Sequence, residues 1–192
     1  AWLALVPQDD VSAVRAAVAP VTVRPKQRIV RLTDPQMAET MSEAVLAWTL
    51  YLHRDMPRYA AQQRQRIWRE HRLKTPAERT VALLGLGKLG AAAALRLKAN
   101  GFDVLGWSRS EKNLDGISCF HGADGLTAVL RRADIFILLM PLTAETRGMI
   151  GERELGVCKK DAALINFARG PILEEAALLA ALDEDRLSHA VL

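Results

Sequence analysis

The sequence predicts an α/β fold built around a doubly wound parallel sheet. An apolar run, Val81–Leu84, leads directly into Gly85-x-Gly87-x-x-Gly90, the pattern of a strand that turns sharply into a helix. Strand and helix patterns then alternate towards the end of the chain. The segment Asp134–Met140 is nearly all apolar, which is typical of a parallel strand covered on both faces.

The glycine motif indicates the class of ligand. In such a loop Gly85 permits the tight turn, Gly87 lets a pyrophosphate approach the backbone, and Gly90 lets helix and strand pack closely. The free N–H groups and the positive end of the helix dipole then face the phosphate charge. Four alanines at 91–94 continue the helix, and Asn100-Gly101 favours its end. The motif therefore predicts dinucleotide binding; the alternative is a glycine-rich turn without a ligand.

The residues after the second predicted strand, Asp103–Trp107, indicate which dinucleotide. An NAD site usually carries an acidic residue there, which binds the ribose 2′-hydroxyl. This chain has Ser108-Arg109-Ser110 instead. An Arg flanked by hydroxyls suits a 2′-phosphate, whereas a carboxylate would repel it. We therefore expect NADPH in preference to NADH, the alternative being a basic turn that faces solvent.

A helical region precedes the glycine motif. Asp34-Pro35 is a favourable helix start, and apolar residues recur at helical spacing from Met37 to Leu52. The apolar surface extends around more than one face, so we expect an interdomain or dimer-interface helix. Pro57 ends this helix, a more polar helix follows over roughly 58–69, and Thr75-Pro76 marks a boundary.

Composition excludes several other classes. The 192 residues carry a net charge of +4, and much of the basic character lies between Arg54 and Arg79. That segment lacks a nucleic-acid-binding motif, so we interpret it as a solvated helix face and expect no nucleic-acid partner. No apolar run approaches membrane-spanning length, and Cys119 and Cys158 have no CxxC spacing. We expect a cytoplasmic protein with reduced thiols and without a metal site.

Three segments follow predicted strands and should line one crevice with the glycine loop, because ligands bind beyond the carboxyl ends of parallel strands. They are Ser108–Ser110, Pro141–Thr146 and Asn166–Gly170, the last after a predicted strand at Ala162–Asn166. Thr143 and Thr146 could hydrogen-bond the ligand or cap the next helix. Arg169 is the candidate for bidentate binding of a substrate carboxylate; the alternative is a structural ion pair with Glu174 or Glu175. Further helices are predicted near 126–132, 152–158 and 174–182.

Three ordered motifs make the chain similar to the D-isomer-specific 2-hydroxyacid dehydrogenases. They read LLGLGKLG, LLMPLTAETRGMI and LINFARGPILEEAAL, and the similarity covers about residues 30–192. WSRS at 107–110 and the helix start LTDPQMAETMSEAVL resemble the NADPH-preferring glyoxylate/hydroxypyruvate reductase A branch.

The resemblance implies reduction of a small 2-keto acid, of the glyoxylate or hydroxypyruvate type, to the 2-hydroxy acid. Arg169 would hold the substrate and is the one catalytic residue carried over. By the same resemblance Lys88 and Leu89 lie on the pyrophosphate, and Ser108 and Arg109 at the adenosine ribose. Pro141 and Thr146 would lie along the cofactor, with Phe167 and Ala168 near the nicotinamide. The resemblance also implies a homodimer of the full-length protein.

The chain departs from the family in what it lacks. The family's catalytic Glu and His follow the INxARG motif by some tens of residues, and neither is found here. The four histidines are not expected to substitute; His121 is predicted in a loop and His189 at the surface. Residues 1–33 are expected to be a remnant of a substrate domain, 34–74 interdomain or dimer helices, and 75–192 a C-terminally truncated dinucleotide-binding domain.

Two alternatives to an enzyme fragment remain. One is a non-catalytic dinucleotide-binding module that lacks the Glu/His pair. The other, a methyltransferase that uses S-adenosylmethionine, also has a glycine loop, but it would normally carry an acid after the second strand and would leave INFARG unexplained.

Overall fold

The fold is that of a computed structural model, which describes residues 34–192. The predicted substrate-domain remnant at 1–33 lies outside the described residues. Two 3₁₀ turns cover Pro76–Glu78 and Gly170–Ile172. The helices are α1 Pro35–His53, α2 Met56–Arg64, α3 Lys88–Ala99, α4 Gly122–Arg132, α5 Glu152–Gly156 and α6 Glu175–Asp183. The strands are β1 Thr80–Leu84, β2 Asp103–Ser108, β3 Ser118–His121, β4 Ile135–Leu138, β5 Ala162–Asn166 and β6 Leu187–Val191.

The six strands form one parallel sheet in the order β3-β2-β1-β4-β5-β6. The chain runs outwards from β1 to β3, then returns to the other side of β1 and runs outwards again to β6. This reversal between β1 and β4 is the topological switch point at which doubly wound sheets bind their ligands. The predicted fold class is confirmed.

Helices cover both faces of the sheet, which explains why the central strands are almost wholly apolar. Successive residues of β1 point to opposite faces, so Ala82 and Leu84 join one core cluster while Val81 and Leu83 join the other. The first cluster is completed by α4, α5 and α6, and the second by α1 and α3.

Helix α1 packs on α3 and begins as the sequence predicts. Asp34 Oδ1 accepts a hydrogen bond from the backbone N–H of Gln36 at 2.9 Å, so its side chain caps the helix. Val45 is fully buried, whereas Trp48 on another face is 40% exposed. Only part of the apolar surface of α1 is therefore covered within the described residues, and its interdomain or dimer role stays a prediction.

Two short strands were missed by the sequence prediction. β3 has only four residues, and its two ends, Ser118 and His121, are exposed because it lies at an edge of the sheet. The prediction that His121 lies in a loop was wrong, since it is the last residue of β3. His189 is partly buried within β6, the other edge strand, so the prediction of a surface position was also wrong.

The helix boundaries before β1 differ from the predicted ones. The break falls before Pro57, at Asp55, whose φ of 55° places it in the left-handed region. Pro57 lies in the first turn of α2, where its missing N–H costs nothing. That helix ends at Arg64 rather than near Arg69, and the left-handed Arg66 (φ 57°) follows its end.

Candidate functional site

Four loops leave the carboxyl edge of the sheet side by side, after β2, β1, β4 and β5. Backbone hydrogen bonds tie the start of three of these loops to the end of the neighbouring strand. Gly85 N–H donates to Trp107 O at 2.8 Å, Leu139 N–H to Leu84 O at 2.8 Å, and Phe167 N–H to Leu138 O at 3.1 Å. The structure thus brings the four predicted segments to one edge.

The glycine loop packs so closely against neighbouring backbone that two of its glycines leave no room for a side chain. Gly85 has φ of +113°, and a Cβ there would lie 2.7 Å from the backbone nitrogen of Met140. A Cβ at Gly90 would lie 1.8 Å from the carbonyl oxygen of Gly85, so only glycine lets α3 approach the loop so closely. Gly87 is the N-cap of α3, and Lys88 is its first residue. The first N–H groups of a helix have no intrahelical acceptor, so this loop offers donors and positive dipole charge to a diphosphate.

The loop after β2 presents Arg109 to solvent. Ser108 is buried, and its hydroxyl donates to the carbonyl oxygen of Ser110 at 2.7 Å, which shapes the turn. The guanidinium of Arg109 donates from Nη1 to Glu145 Oε2 at 2.5 Å. Glu145 belongs to the loop after β4, so this ion pair joins the two loops that flank β1. No sequence pattern predicts this pair, because its partners are 36 residues apart.

The loop after β4 is ordered by two threonines. Thr146 Oγ1 accepts a hydrogen bond from Thr143 N–H at 2.8 Å and donates to the carbonyl oxygen of Pro141 at 2.7 Å. Neither threonine caps the next helix, since α5 begins at Glu152 with Gly151 as its N-cap. The capping alternative was therefore wrong, and contact of either threonine with a ligand stays a prediction.

The loop after β5 carries Phe167, Ala168 and Arg169. Phe167 packs against the core cluster that contains α1 and α3, and Ala168 against the other. Arg169 is exposed and extended, and its Nη1 donates to the carbonyl oxygen of Ala168 at 2.7 Å. Within residues 34–192 it makes no ion pair with Glu174 or Glu175, so most of its donors remain available to a ligand.

The histidines lie away from the Phe167–Arg169 loop. His53 and His189 line a cavity at the amino ends of the strands, opposite the glycine loop. Burial lowers the pKa of His53, and the charges of Arg79 and Arg54 lower it further. His71 hydrogen-bonds Gln62 Oε1 at 2.8 Å, and His121 ends the outermost strand β3.

Two further observations concern residues 34–192. No group of three or more His, Cys, Asp or Glu side chains in this part of the chain is placed to hold a metal ion. None of its helices combines the length and the apolar composition needed to cross a membrane.

Comparison with known families gives a match over most of the chain. The family described as "D-isomer specific 2-hydroxyacid dehydrogenase, NAD binding domain" matches residues 46–192. The chain is 38% identical over 164 residues to glyoxylate/hydroxypyruvate reductase A of Serratia proteamaculans, which covers 85% of this chain and 52% of that protein. The chain thus spans about half the length of the curated relatives it matches.

Solved structures agree in fold. A D-isomer-specific 2-hydroxyacid dehydrogenase from Xanthobacter autotrophicus, in complex with NADPH and MES, has a TM-score of 0.86 and 44% identity, covering 92% of this chain and 56% of that one. The NADPH-dependent glyoxylate/hydroxypyruvate reductase from Sinorhizobium meliloti, in complex with NADP and sulfate, has a TM-score of 0.82 and 35% identity. It covers 88% of this chain and 54% of that one.

Proposed function

This chain belongs to the D-isomer-specific 2-hydroxyacid dehydrogenases, and from that membership we propose that its protein reduces a small 2-keto acid with NADPH. The product is the 2-hydroxy acid, and the substrate is of the glyoxylate or hydroxypyruvate type named for its relatives. One observation carries the proposal: the loop shaped by Gly85 and Gly90 lies beside the loop that presents Arg109.

The described residues fit a dinucleotide that carries a 2′-phosphate. Because Gly85 and Gly90 lack a Cβ, the loop and α3 pack directly against neighbouring backbone, and the first N–H groups of α3 lie at the sheet edge where a pyrophosphate would bind. When bound, NADPH supplies a hydride to the keto carbon. At the pyrophosphate the proposed residues are Gly85, Gly87, Lys88, Leu89 and Gly90, and at the adenosine ribose they are Ser108, Arg109 and Ser110. Pro141 and Thr146 lie along the cofactor, Phe167 and Ala168 lie near the nicotinamide, and Arg169 is a further contact.

Arg169 is the proposed catalytic residue of this chain. Its fixed, planar charge suits the substrate carboxylate and polarises the neighbouring carbonyl towards attack. Proton donation to the carbonyl oxygen is assigned by the resemblance to a His that a Glu supports. None of the described histidines belongs to the Phe167–Arg169 loop, so we propose none of them as this proton donor.

The organisation of the longer protein is part of the proposal. Residues 1–33 contribute to a substrate domain, 34–74 form interdomain or dimer helices, and 75–192 form the dinucleotide-binding domain. The exposed Met37 and Trp48 on α1 support a homodimer through this helix. We propose that the enzyme works in the cytoplasm.

The test is a titration of the full-length protein with NADPH and then NADH, followed by nicotinamide fluorescence. We expect tighter binding of NADPH, and a shift of the preference towards NADH in Arg109→Asp. Equal affinities for the two cofactors in both proteins would contradict the assignment of Arg109.

Activity is measured as oxidation of NADPH in the presence of glyoxylate or hydroxypyruvate. Oxidation of NADPH that depends on either keto acid supports the proposed reductase activity. Tight NADPH binding without turnover of either keto acid would instead favour the non-catalytic dinucleotide-binding module, which the absence of the Glu/His pair from this chain makes the second candidate.

A further inference from the structure

We propose that Glu145 competes with the cofactor's 2′-phosphate for Arg109 and is thereby a specificity-determining residue of this site. The inference rests on the proposed binding of NADPH in the crevice. Glu145 lies on the far side of β1 from Arg109, and its carboxylate contacts the Arg109 guanidinium.

The Arg109–Glu145 pair spans the glycine loop, where the cofactor is proposed to bind. Arg109 follows β2 and Glu145 lies in the loop after β4, while β1 and the glycine loop lie between these strands. The contact between Arg109 Nη1 and Glu145 Oε2 is 2.5 Å. Among residues 34–192, Glu145 is the one acidic partner of Arg109 within ion-pair distance.

The backbone around Glu145 is held in place. Thr143 and Thr146 hydrogen-bond each other on either side of it, and Thr146 also binds the carbonyl oxygen of Pro141. In addition, Arg147 N–H donates to Thr143 O at 3.1 Å. Because the loop is ordered locally, Glu145 stays near Arg109 after its ion pair is broken.

The charge of the ligand decides whether the pair must break. A 2′-phosphate bound to the guanidinium competes with the carboxylate for Nη1, and it also lies near a like charge. The 2′-hydroxyl of NADH carries no charge and does not displace a carboxylate from Arg. Glu145 therefore weakens NADPH binding selectively and narrows the preference for NADPH over NADH.

The magnitude is modest, because both side chains face solvent, with 76% and 68% of their surfaces exposed. Because exposed ion pairs are weak, we expect Glu145→Gln to lower the Kd for NADPH by about two- to fivefold, which corresponds to about 0.4–1 kcal/mol. The Kd for NADH should stay within about 1.5-fold of the wild-type value, since it depends on no displaced charge.

Glu111 offers a matched control. It lies two residues after Arg109, is exposed, and makes no ion pair among the described residues. Glu111→Gln changes the net charge by the same amount as Glu145→Gln but leaves the ion pair of Arg109 with Glu145 in place. The full-length wild type, both variants, Arg109→Ala and the Arg109→Ala/Glu145→Gln double variant are titrated with NADPH, NADH, 2′,5′-ADP and 5′-AMP by calorimetry.

The expected result is tighter binding of NADPH and 2′,5′-ADP in Glu145→Gln alone, with no gain for NADH or 5′-AMP. Loss of that gain when Arg109 is also replaced would support direct competition. The inference is overturned if Glu145→Gln and Glu111→Gln behave alike, or if all four ligands gain equally. Failure of the wild type to bind NADPH would overturn the proposed function itself, and this outcome is distinct from NADPH binding that ignores Glu145.

Discussion

The side-chain amide of Asn166 hydrogen-bonds the backbone of Ala168 and Arg169, in the turn that follows β5. Its Oδ1 accepts a hydrogen bond from Ala168 N–H at 2.9 Å, and its Nδ2 donates to the carbonyl oxygen of Arg169 at 3.2 Å. Asn166 is the last residue of β5, so this amide fixes the direction in which the chain leaves the sheet. We propose that Asn166 positions Arg169 by this contact.

Replacement of Asn166 by Asp should impair substrate binding. The acceptor for Ala168 N–H remains, but the donor to the Arg169 carbonyl oxygen is lost and a negative charge is added to the turn that carries Arg169. We expect the KM for the keto acid to rise about tenfold, with a smaller fall in kcat, while the Kd for NADPH changes little. Steady-state kinetics of the full-length protein measure this.

A matched control is Asn100→Asp, because the Asn100 amide also donates to a backbone carbonyl, that of Arg96 at 2.8 Å, but at the end of α3 remote from the crevice. Its KM should equal that of the wild type. Equal KM values for both variants and the wild type would remove the positioning role of Asn166.

Arg169→Ala should lower kcat/KM by about 10²-fold or more, because a charge-assisted, bidentate contact to the substrate is lost. Since Arg169 is exposed, the free energy of unfolding should change by less than about 0.5 kcal/mol. Arg169→Lys keeps the charge but not the fork, so it should recover only part of the rate. Normal kinetics in Arg169→Ala would exclude this residue from the site.

Gly90→Ala should abolish tight NADPH binding. The added Cβ would lie 1.8 Å from Gly85 O, so α3 and the glycine loop must separate, at a cost of about 1–3 kcal/mol in stability. Gly156→Ala is the control, because a Cβ there meets nothing within 4 Å. Fluorescence titration and urea unfolding of both variants give the comparison; wild-type affinity in Gly90→Ala would contradict the close approach of helix and loop.

Asp134 should stabilise the fold at neutral pH and lose that effect in acid. Burial raises the pKa of Asp134, but the hydrogen bond from Thr80 N–H and the charges of Lys159 and Lys74 outweigh it and lower the pKa overall. A lowered pKa in the folded state gives stability that is present above the ordinary value of 3.8 and is lost as the pH falls through the folded value.

Asp134→Asn keeps an acceptor for Thr80 and removes the charge. We expect a loss of about 1 kcal/mol at pH 7, because the two lysines are partly exposed, and a difference from the wild type that shrinks below about pH 4. Urea unfolding across this pH range measures it. A difference that stays constant with pH would show that the ion pairs contribute nothing.

Cys158 should be unreactive in the folded protein. Burial raises the pKa of its thiol to about 12, with a further contribution from Glu154, whose carbonyl oxygen accepts from Sγ at 3.3 Å. The thiolate fraction at pH 8 is then roughly 10⁻⁴, so alkylation should be about 10³-fold slower than in the unfolded chain. Peptide mass spectrometry after iodoacetamide treatment, with and without urea, tests this; rapid native labelling of Cys158 would contradict its burial.

Local sequence patterns determined the fold class and the positions of most elements. The structure agrees with three local predictions: the glycine motif, the apolar strand after Asp134 and the N-cap at Asp34. The parallel alternation of strands and helices brings the carboxyl ends of adjacent strands to one edge. The glycine loop, Ser108–Ser110 and Arg169 could therefore be predicted to lie along it.

Only the tertiary structure decided which side chains contact each other at the carboxyl edge of the sheet. The edge strands β3 and β6 were missed because strands that are partly exposed carry a weak apolar signal. The contact of Arg109 with Glu145 joins loops that are distant in sequence, and it exists because β1 separates β2 from β4 by a single strand. Sequence periodicity reports which face of an element is buried, whereas the distance between two exposed side chains depends on the strand order and loop geometry that folding produces.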